Sequence, residues 1–410
     1  MYSSKGSVVL GESVSYGEII SQSLRDNKIG LILLLGVCAH ILSLFSPLSN
    51  KEVNNIFYLG VMLPLLFHVR LQDLIHFWSF YIVKLLVVFL GYTSIHMAIT
   101  DDPSKLKYPV YILSLGLAFF YLLKQKLLTS RGCAYFILIV ASCYAIVQLF
   151  YFWIIEANPY PYRPWFYGWQ LSAPTYLTAY VSVAVCSSLL FFQGRLRSLV
   201  WFLLMGLVFV LCYLTQSRMG GVGLLAALFL FIPCILFDRQ SSFNKGAAFF
   251  ILLSFLAVFL LYQMGYFDHL ADRGTSNRLV ILKKVFEEWK SCGVLLGCGY
   301  DFAFSVMAGK VEVTTEHSTF SHHLLRSGLI GLSLLLCLLF LLSLIASKYR
   351  SPWLLGLAAG CGCLLVEGQS LLAQPRAITQ FLFWIPFFMT ILPVVISDLD
   401  SKVKKPHDSI

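Results

Sequence analysis

Long apolar runs dominate the chain, separated by short clusters of charge. Apolar segments of roughly 17 to 25 residues, the length that crosses a bilayer as helix, begin near 29, 53, 75, 108, 132, 170, 198, 219, 246, 327, 352 and 377. They lack the in/out alternation of barrel strands, so the pattern predicts an all-α polytopic membrane protein with about twelve spans and no closed β-barrel. One polar stretch, 266–326, interrupts the series. The expected organisation is nine helices over 1–265, one long outer loop over 266–326, and three helices with a cytoplasmic tail over 327–410.

Composition agrees, since 58% of residues are hydrophobic and only 12% charged, against about 25% charged in ordinary soluble domains. Orientation follows from Lys and Arg, which accumulate in short cytoplasmic loops. With both termini inside, the inner loops hold Lys5, Arg25, Lys28, Arg70, Lys124, Lys126, Arg131, Arg195, Arg197, Arg239, Lys245, Lys348, Arg350, Lys402, Lys404 and Lys405. The loop 266–326 then faces outward. This placement accounts for the net charge of +10 without a nucleic-acid partner. A polar segment of about 28 residues precedes the first apolar run, so that first span is expected to direct insertion without cleavage. Nine of the eleven cysteines lie in or beside apolar spans, where a thiol is a small hydrophobe. Cys292 and Cys298 fall in the outer loop, as a disulfide or as two thiols.

Several residues exceed what topology requires. Lys84 and Glu367 fall inside predicted spans, as a buried pair, as snorkelling charges or as functional groups. TQSRMGG (215–221) places Arg218 at an outer span end beside glycines, where it either anchors the interface or offers its forked donors to a phosphate. TSNRLVILKKVFEEWK (275–290) predicts a capped helix with Lys283 four residues before Glu287, Lys284 four before Glu288, and Arg278, Leu282, Val285 and Trp289 on one face. An arginine on that face either reaches an anion at the lipid boundary or snorkels. CGVLLGCGYDF (292–302) predicts a glycine-rich turn and carries no nucleotide fingerprint. EANPYPYRPWFYGW (156–169), with Arg163, either contacts sugar rings or forms an interfacial aromatic belt. EHSTFSHHLLRSGLIGL (316–332) sets His317, His322, His323 and Arg326 ahead of a span. Histidine exchanges a proton near neutral pH. As zinc ligands, the HxxxxHH spacing fits poorly.

In chain order come TQSR, then NRLVIL leading through a tryptophan to a Gly-x-Gly turn, then a histidine eleven residues before the glycine of GLIGL. This series resembles the O-antigen ligase and O-antigen polymerase superfamily over roughly 170–350. His317, Phe320, Leu324, Gly328 and Gly331 match its closing motif, while Ser318 replaces a common asparagine and Arg326 a frequent acidic residue. The resemblance implies glycosyl transfer from an undecaprenyl-diphosphate-linked glycan to lipid A-core on the periplasmic face of a bacterial inner membrane, with no metal or other cofactor. It implies Arg218 and Arg278 on the diphosphate and His317 as general base, with His322, His323, Arg326 and Arg163 as secondary candidates on the acceptor side. A polymerase and a protein O-oligosaccharyltransferase are related alternatives. A transporter using Lys84 and Glu367 as coupling charges is the alternative from another class, and no repeated halves support it.

Overall fold

Lipid offers no partner to a backbone amide, so apolar runs must satisfy their own hydrogen bonds as helix. The computed structural model describes residues 28–69, 71–157, 174–192, 197–236, 278–308, 311–368 and 370–403. Both termini, the apolar segment beginning near 246, residues 158–169 with Arg163, and the capping triplet Thr275, Ser276 and Asn277 lie outside them.

The fold is mostly helical. Helix α1 (Lys28–Ser43) precedes α2 (Asn50–Phe57), which continues through a π-helical turn into α3 (Leu63–His68). Then come α4 (Leu71–Ser79), α5 (Tyr81–Thr100), α6 (Tyr108–Lys124), α7 (Ser130–Phe150), α8 (Pro174–Leu189), α9 (Arg197–Leu214) and α10 (Met219–Leu236). The polar stretch supplies α11 (Arg278–Cys292) and an antiparallel hairpin of β1 (Val306–Ala308) and β2 (Val311–Val313), which its sequence pattern does not announce. It is followed by α12 (Thr319–Lys348), α13 (Leu354–Val366), the short α14 (Ala377–Thr379) and, past a further π-helical turn, α15 (Ile385–Val403).

Among the described residues, five helices are long and apolar enough to cross a membrane, or six if the bent pair Asn50–Phe67 and Leu71–Ser79 forms one span. Leu354–Val366, whose two ends are both described, is apolar but shorter. Within the described residues, the apolar segments are therefore not all full-length rods. Chain breaks explain two differences: α13 ends where Glu367 turns extended, and the helix expected from 75 begins only at Tyr81, after extended Phe80.

The centre is α8, packed by α10 and α13 through small residues, as expected where lipid gives no hydrophobic drive for helix association. A Cβ on Gly220 would stand 2.6 Å from the Thr178 carbonyl oxygen. One on Gly360 would stand 1.8 Å from the Leu382 carbonyl oxygen, so these backbones touch directly.

Helix α12 is broken at Gly328, whose φ of 64° lies in the left-handed region. The break frees backbone groups, and the segment after α11 takes them. Cys298 N–H donates to the Leu325 carbonyl at 2.7 Å and Gly299 N–H to that of Arg326 at 3.1 Å. In return Leu329 and Ile330 donate to the carbonyls of Val294 and Leu295, at 3.0 and 3.2 Å. Tyr92 of α5 donates its hydroxyl to the Ser327 carbonyl at 2.9 Å. A Cys292–Cys298 disulfide closes the inserted loop. The glycine-rich stretch is thus a plug for a broken helix as well as a turn.

Gly328→Ala is expected to destabilise the protein by at least the roughly 1–2 kcal/mol of a left-handed L-residue, because its Cβ would also meet the Leu295 carbonyl oxygen at 2.2 Å. Gly91→Ala in α5, whose Cβ meets nothing within 4 Å, is expected to be neutral or slightly stabilising. Thermal unfolding of both variants in detergent checks the contrast.

Candidate functional site

Arg218 sits in the turn between α9 and α10, held from below by buried hydroxyls. Thr215 Oγ1 donates to the Leu211 carbonyl at 2.7 Å, and Ser217 N–H to the Cys212 carbonyl at 3.0 Å. Thr178 of α8 shares a 2.9 Å hydrogen bond with Ser217 Oγ and accepts from Gly220 N–H at 3.3 Å. Gln216 has a φ of 51°, which lets the chain reverse. Gly220 therefore serves contact with α8, and the half-buried Arg218 is presented at the head of α10.

Arg278 opens α11 and is also half-buried. Lys283 and Glu287 approach to 4.0 Å and Lys284 and Glu288 to 2.5 Å, as their spacing predicts. The inward face differs from expectation by one position. Ile281 and Val285 are buried against Phe304 and Leu325, with Trp289 alongside, whereas Leu282 is 40% exposed. Leucine and isoleucine at adjacent positions offer equal hydrophobicity, and docking on the broken α12 selects Ile281.

Three elements distant in sequence meet electrostatically at Arg278. Burial lowers its pKa, the Glu367 carboxylate opposes that shift, and the positive charge of Arg218 adds to it. Two guanidinium groups and one carboxylate thus share a neighbourhood built from the α9–α10 turn, the start of α11 and the end of α13. Glu367 was legible only as a charge within an apolar run. Its extended backbone ends α13, and the next residue, Gly368, lies against Thr319, where a Cβ would stand 2.1 Å from Oγ1.

That contact brings the end of α13 to the start of α12, two residues after His317. His317 has a φ of 52°, an uncommon conformation for a residue with a side chain and one that clusters at functional positions. Its imidazole is half-buried, ahead of the helix and outside its hydrogen-bond ladder. Lys84 is elsewhere. It is exposed on α5, with its ammonium 5.3 Å from the centre of the Tyr81 ring, and does not pair with Glu367.

The secondary candidates form a second group. Arg326 is buried and donates through Nε to Glu316 at 2.8 Å, and through Nη1 to the carbonyls of Tyr300, at 3.2 Å, and Phe302. His322 Nδ1 lies 3.2 Å from the other Glu316 oxygen. His323 is fully buried, its ring 5.5 Å from that of Phe89. Arg326 and His322 clamp the loop to α12, and His323 packs behind them. Arg163 lies outside the described residues.

Burial alone would raise the Glu316 carboxyl, but the hydrogen bond from His322 and the charges of His322 and Arg326 outweigh it and hold the pKa at about 2. A carboxyl depressed in the folded state contributes stability above its ordinary pKa and loses it as pH falls toward the folded value. The clamp is therefore expected to weaken between pH 4.5, the ordinary value, and about 2. The thermal midpoint of the wild type should fall more steeply across that window than that of Glu316→Gln. Equal slopes would remove Glu316 as the titrating group.

Among the described residues no group of three or more His, Cys, Asp or Glu side chains is placed to hold a metal ion. The arrangement offers two forked cations for an anion, a carboxylate beside them, and an imidazole at a neighbouring helix start. No protein-family model matches the chain, and no curated protein matches it.

Proposed function

We propose that this protein is a membrane glycosyltransferase of the O-antigen ligase type. It moves a glycan from undecaprenyl diphosphate to lipid A-core on the periplasmic face of a bacterial inner membrane. The observation that carries this reading is the meeting of Arg218 and Arg278, from separate motifs, beside Glu367 at the end of the bundle where His317 precedes α12. Cleavage between sugar and diphosphate builds negative charge on the leaving phosphate. Preorganised guanidinium groups stabilise such charge where water is scarce. His317 then takes the proton of the acceptor hydroxyl as the new glycosidic bond forms. The arginines carry the charge that a divalent cation carries in many other phosphate-leaving enzymes, so the transfer runs without metal.

Several features support the setting. Among the described residues five or six helices are fit to span a bilayer, and the disulfide lies in the loop assigned to the outer, oxidising side. The same chemistry serves a polysaccharide polymerase or a protein O-oligosaccharyltransferase, which differ in acceptor.

A transporter would need Lys84 and Glu367 as coupled charges, and their separation argues against it. Lys84→Met is the discriminating experiment. Transfer by the purified variant is expected to stay near wild type, whereas dependence of activity on Lys84 would favour transport.

A further inference from the structure

Among the described residues, part of the apolar surface of α11 is exposed. Ile281, Val285 and Trp289 turn toward α12 and the loop, but Leu279, Leu282 and Phe286, on the adjoining arc at helical spacing, are 64%, 40% and 42% exposed. Lys283, Lys284, Glu287 and Glu288 occupy the remaining side with the exposed Val280 among them, so the helix is divided into protein-facing, open apolar and mainly charged sectors. The disulfide-closed loop continues the open sector. Val294, Leu295 and Leu296 at its tip are 43%, 61% and 53% exposed.

The hydrogen bonds of the α12 break fix the depth of that tip. Leu329 and Ile330, bonded to the carbonyls of Val294 and Leu295, are themselves 37% and 38% exposed. They begin the uninterrupted part of α12, whose outward residues include Leu336, Phe340 and Leu344 at 49%, 64% and 52% exposure. From 329 to Lys348 this part rises about 30 Å at 1.5 Å per residue, the thickness of the hydrocarbon core. With Lys348 and Arg350 at the far boundary, Leu329 stands at the near boundary, and the leucines of the loop stand beside it. Their apolar surface is continuous with the lipid-facing side of a span. Trp289, a residue favoured at membrane interfaces, donates its indole N–H to the Val294 carbonyl at 2.9 Å and ties helix to loop.

We infer that residues 279–296 form a membrane-embedded wedge: the open arc of α11 and the tip of the disulfide loop insert among lipid acyl chains, while the charged sector faces water. The occupant is the bilayer itself. At the tip that carries Leu295 and Leu296, the carbonyls of Val294 and Leu295 are bonded to α12 and the Gly297 amide to the Gly293 carbonyl at 2.8 Å, so these groups enter the hydrocarbon with their hydrogen bonds made. Helix α11 then lies along the interface, and Arg278 at its start is held level with lipid phosphates. This assignment stands independently of the glycosyl-transfer reading.

Site-directed spin labelling of the full chain in phosphatidylcholine and phosphatidylglycerol liposomes tests it. The Cys292–Cys298 bond is kept and the other cysteines are replaced. Labels at Leu279→Cys, Phe286→Cys and Leu296→Cys are expected to collide more with oxygen, which partitions into lipid, than with a water-soluble nickel chelate. The depth expected of an interfacial helix is about 5–10 Å below the headgroups. Labels at Lys283→Cys and Glu287→Cys should show the reverse. Nickel access equal at all positions would place the arc in water, and protection from both reagents at Leu279 and Phe286 would place it under protein. Either result overturns the wedge. The α11 labels decide the matter if the Leu296 variant does not fold.

Discussion

Arg278→Ala is expected to lower glycan transfer about 10²- to 10³-fold, the loss seen when one preorganised donor to a developing anion is removed. Arg218→Ala should do the same. The two guanidinium groups belong to one electrostatic neighbourhood, so they should act on one diphosphate, and the double variant should lose less than the product of the single losses. Lysine at either position should recover only part of the activity, since a point charge lacks the planar fork that spans two phosphate oxygens. Initial rates with purified variants and a polyprenyl-linked donor measure this. Full activity of both lysine variants would leave charge alone as the requirement and remove the bidentate role.

His317→Ala is expected to cut turnover about 10²- to 10⁴-fold, the usual contribution of general acid–base catalysis, with membrane level and thermal midpoint unchanged. The imidazole precedes the α12 ladder, so its removal breaks no helix hydrogen bond. The comparison with His322 is informative, because His322 bonds Glu316 and belongs to the clamp that holds the loop. His322→Ala should lower the unfolding temperature and cost less turnover than His317→Ala. An active His317→Ala beside a folded but inactive His322→Ala would transfer the role of base to the His322 and Glu316 pair.

Much of the helical framework is legible in the chain because lipid imposes a local rule. A long apolar run must close its own hydrogen bonds, and the described segments do so as helix. The ion pairs of α11 are equally local, four residues apart on one helix face. What the sequence could not reveal depends on distant backbone. Gly328 matches a motif by spacing, yet its left-handed φ and its contact with Leu295 arise only when the disulfide loop docks into α12. Arg326 reads as a charge at a span entrance. Its partners, Glu316 and the carbonyls of Tyr300 and Phe302, lie in a loop whose path no periodicity encodes. Glu367 joins the arginines because α13 stops beside α12, a tertiary event, and pairing it with Lys84 on hydropathy alone would have been wrong. The choice of Ile281 over Leu282 shows the same limit at the finest scale, since two adjacent apolar residues compete for one buried arc.

The most direct measurement is transfer itself, with purified protein in liposomes, undecaprenyl-diphosphate-linked glycan as donor, lipid A-core as acceptor and excess chelator present. The expected result is a glycosylated lipid A-core and released undecaprenyl diphosphate at a rate unaffected by chelator, falling to background in the Arg218→Ala and Arg278→Ala proteins. Failure of the folded wild type to transfer from a donor that a characterised ligase accepts, or a rate abolished by chelator and restored by a divalent cation, would contradict it.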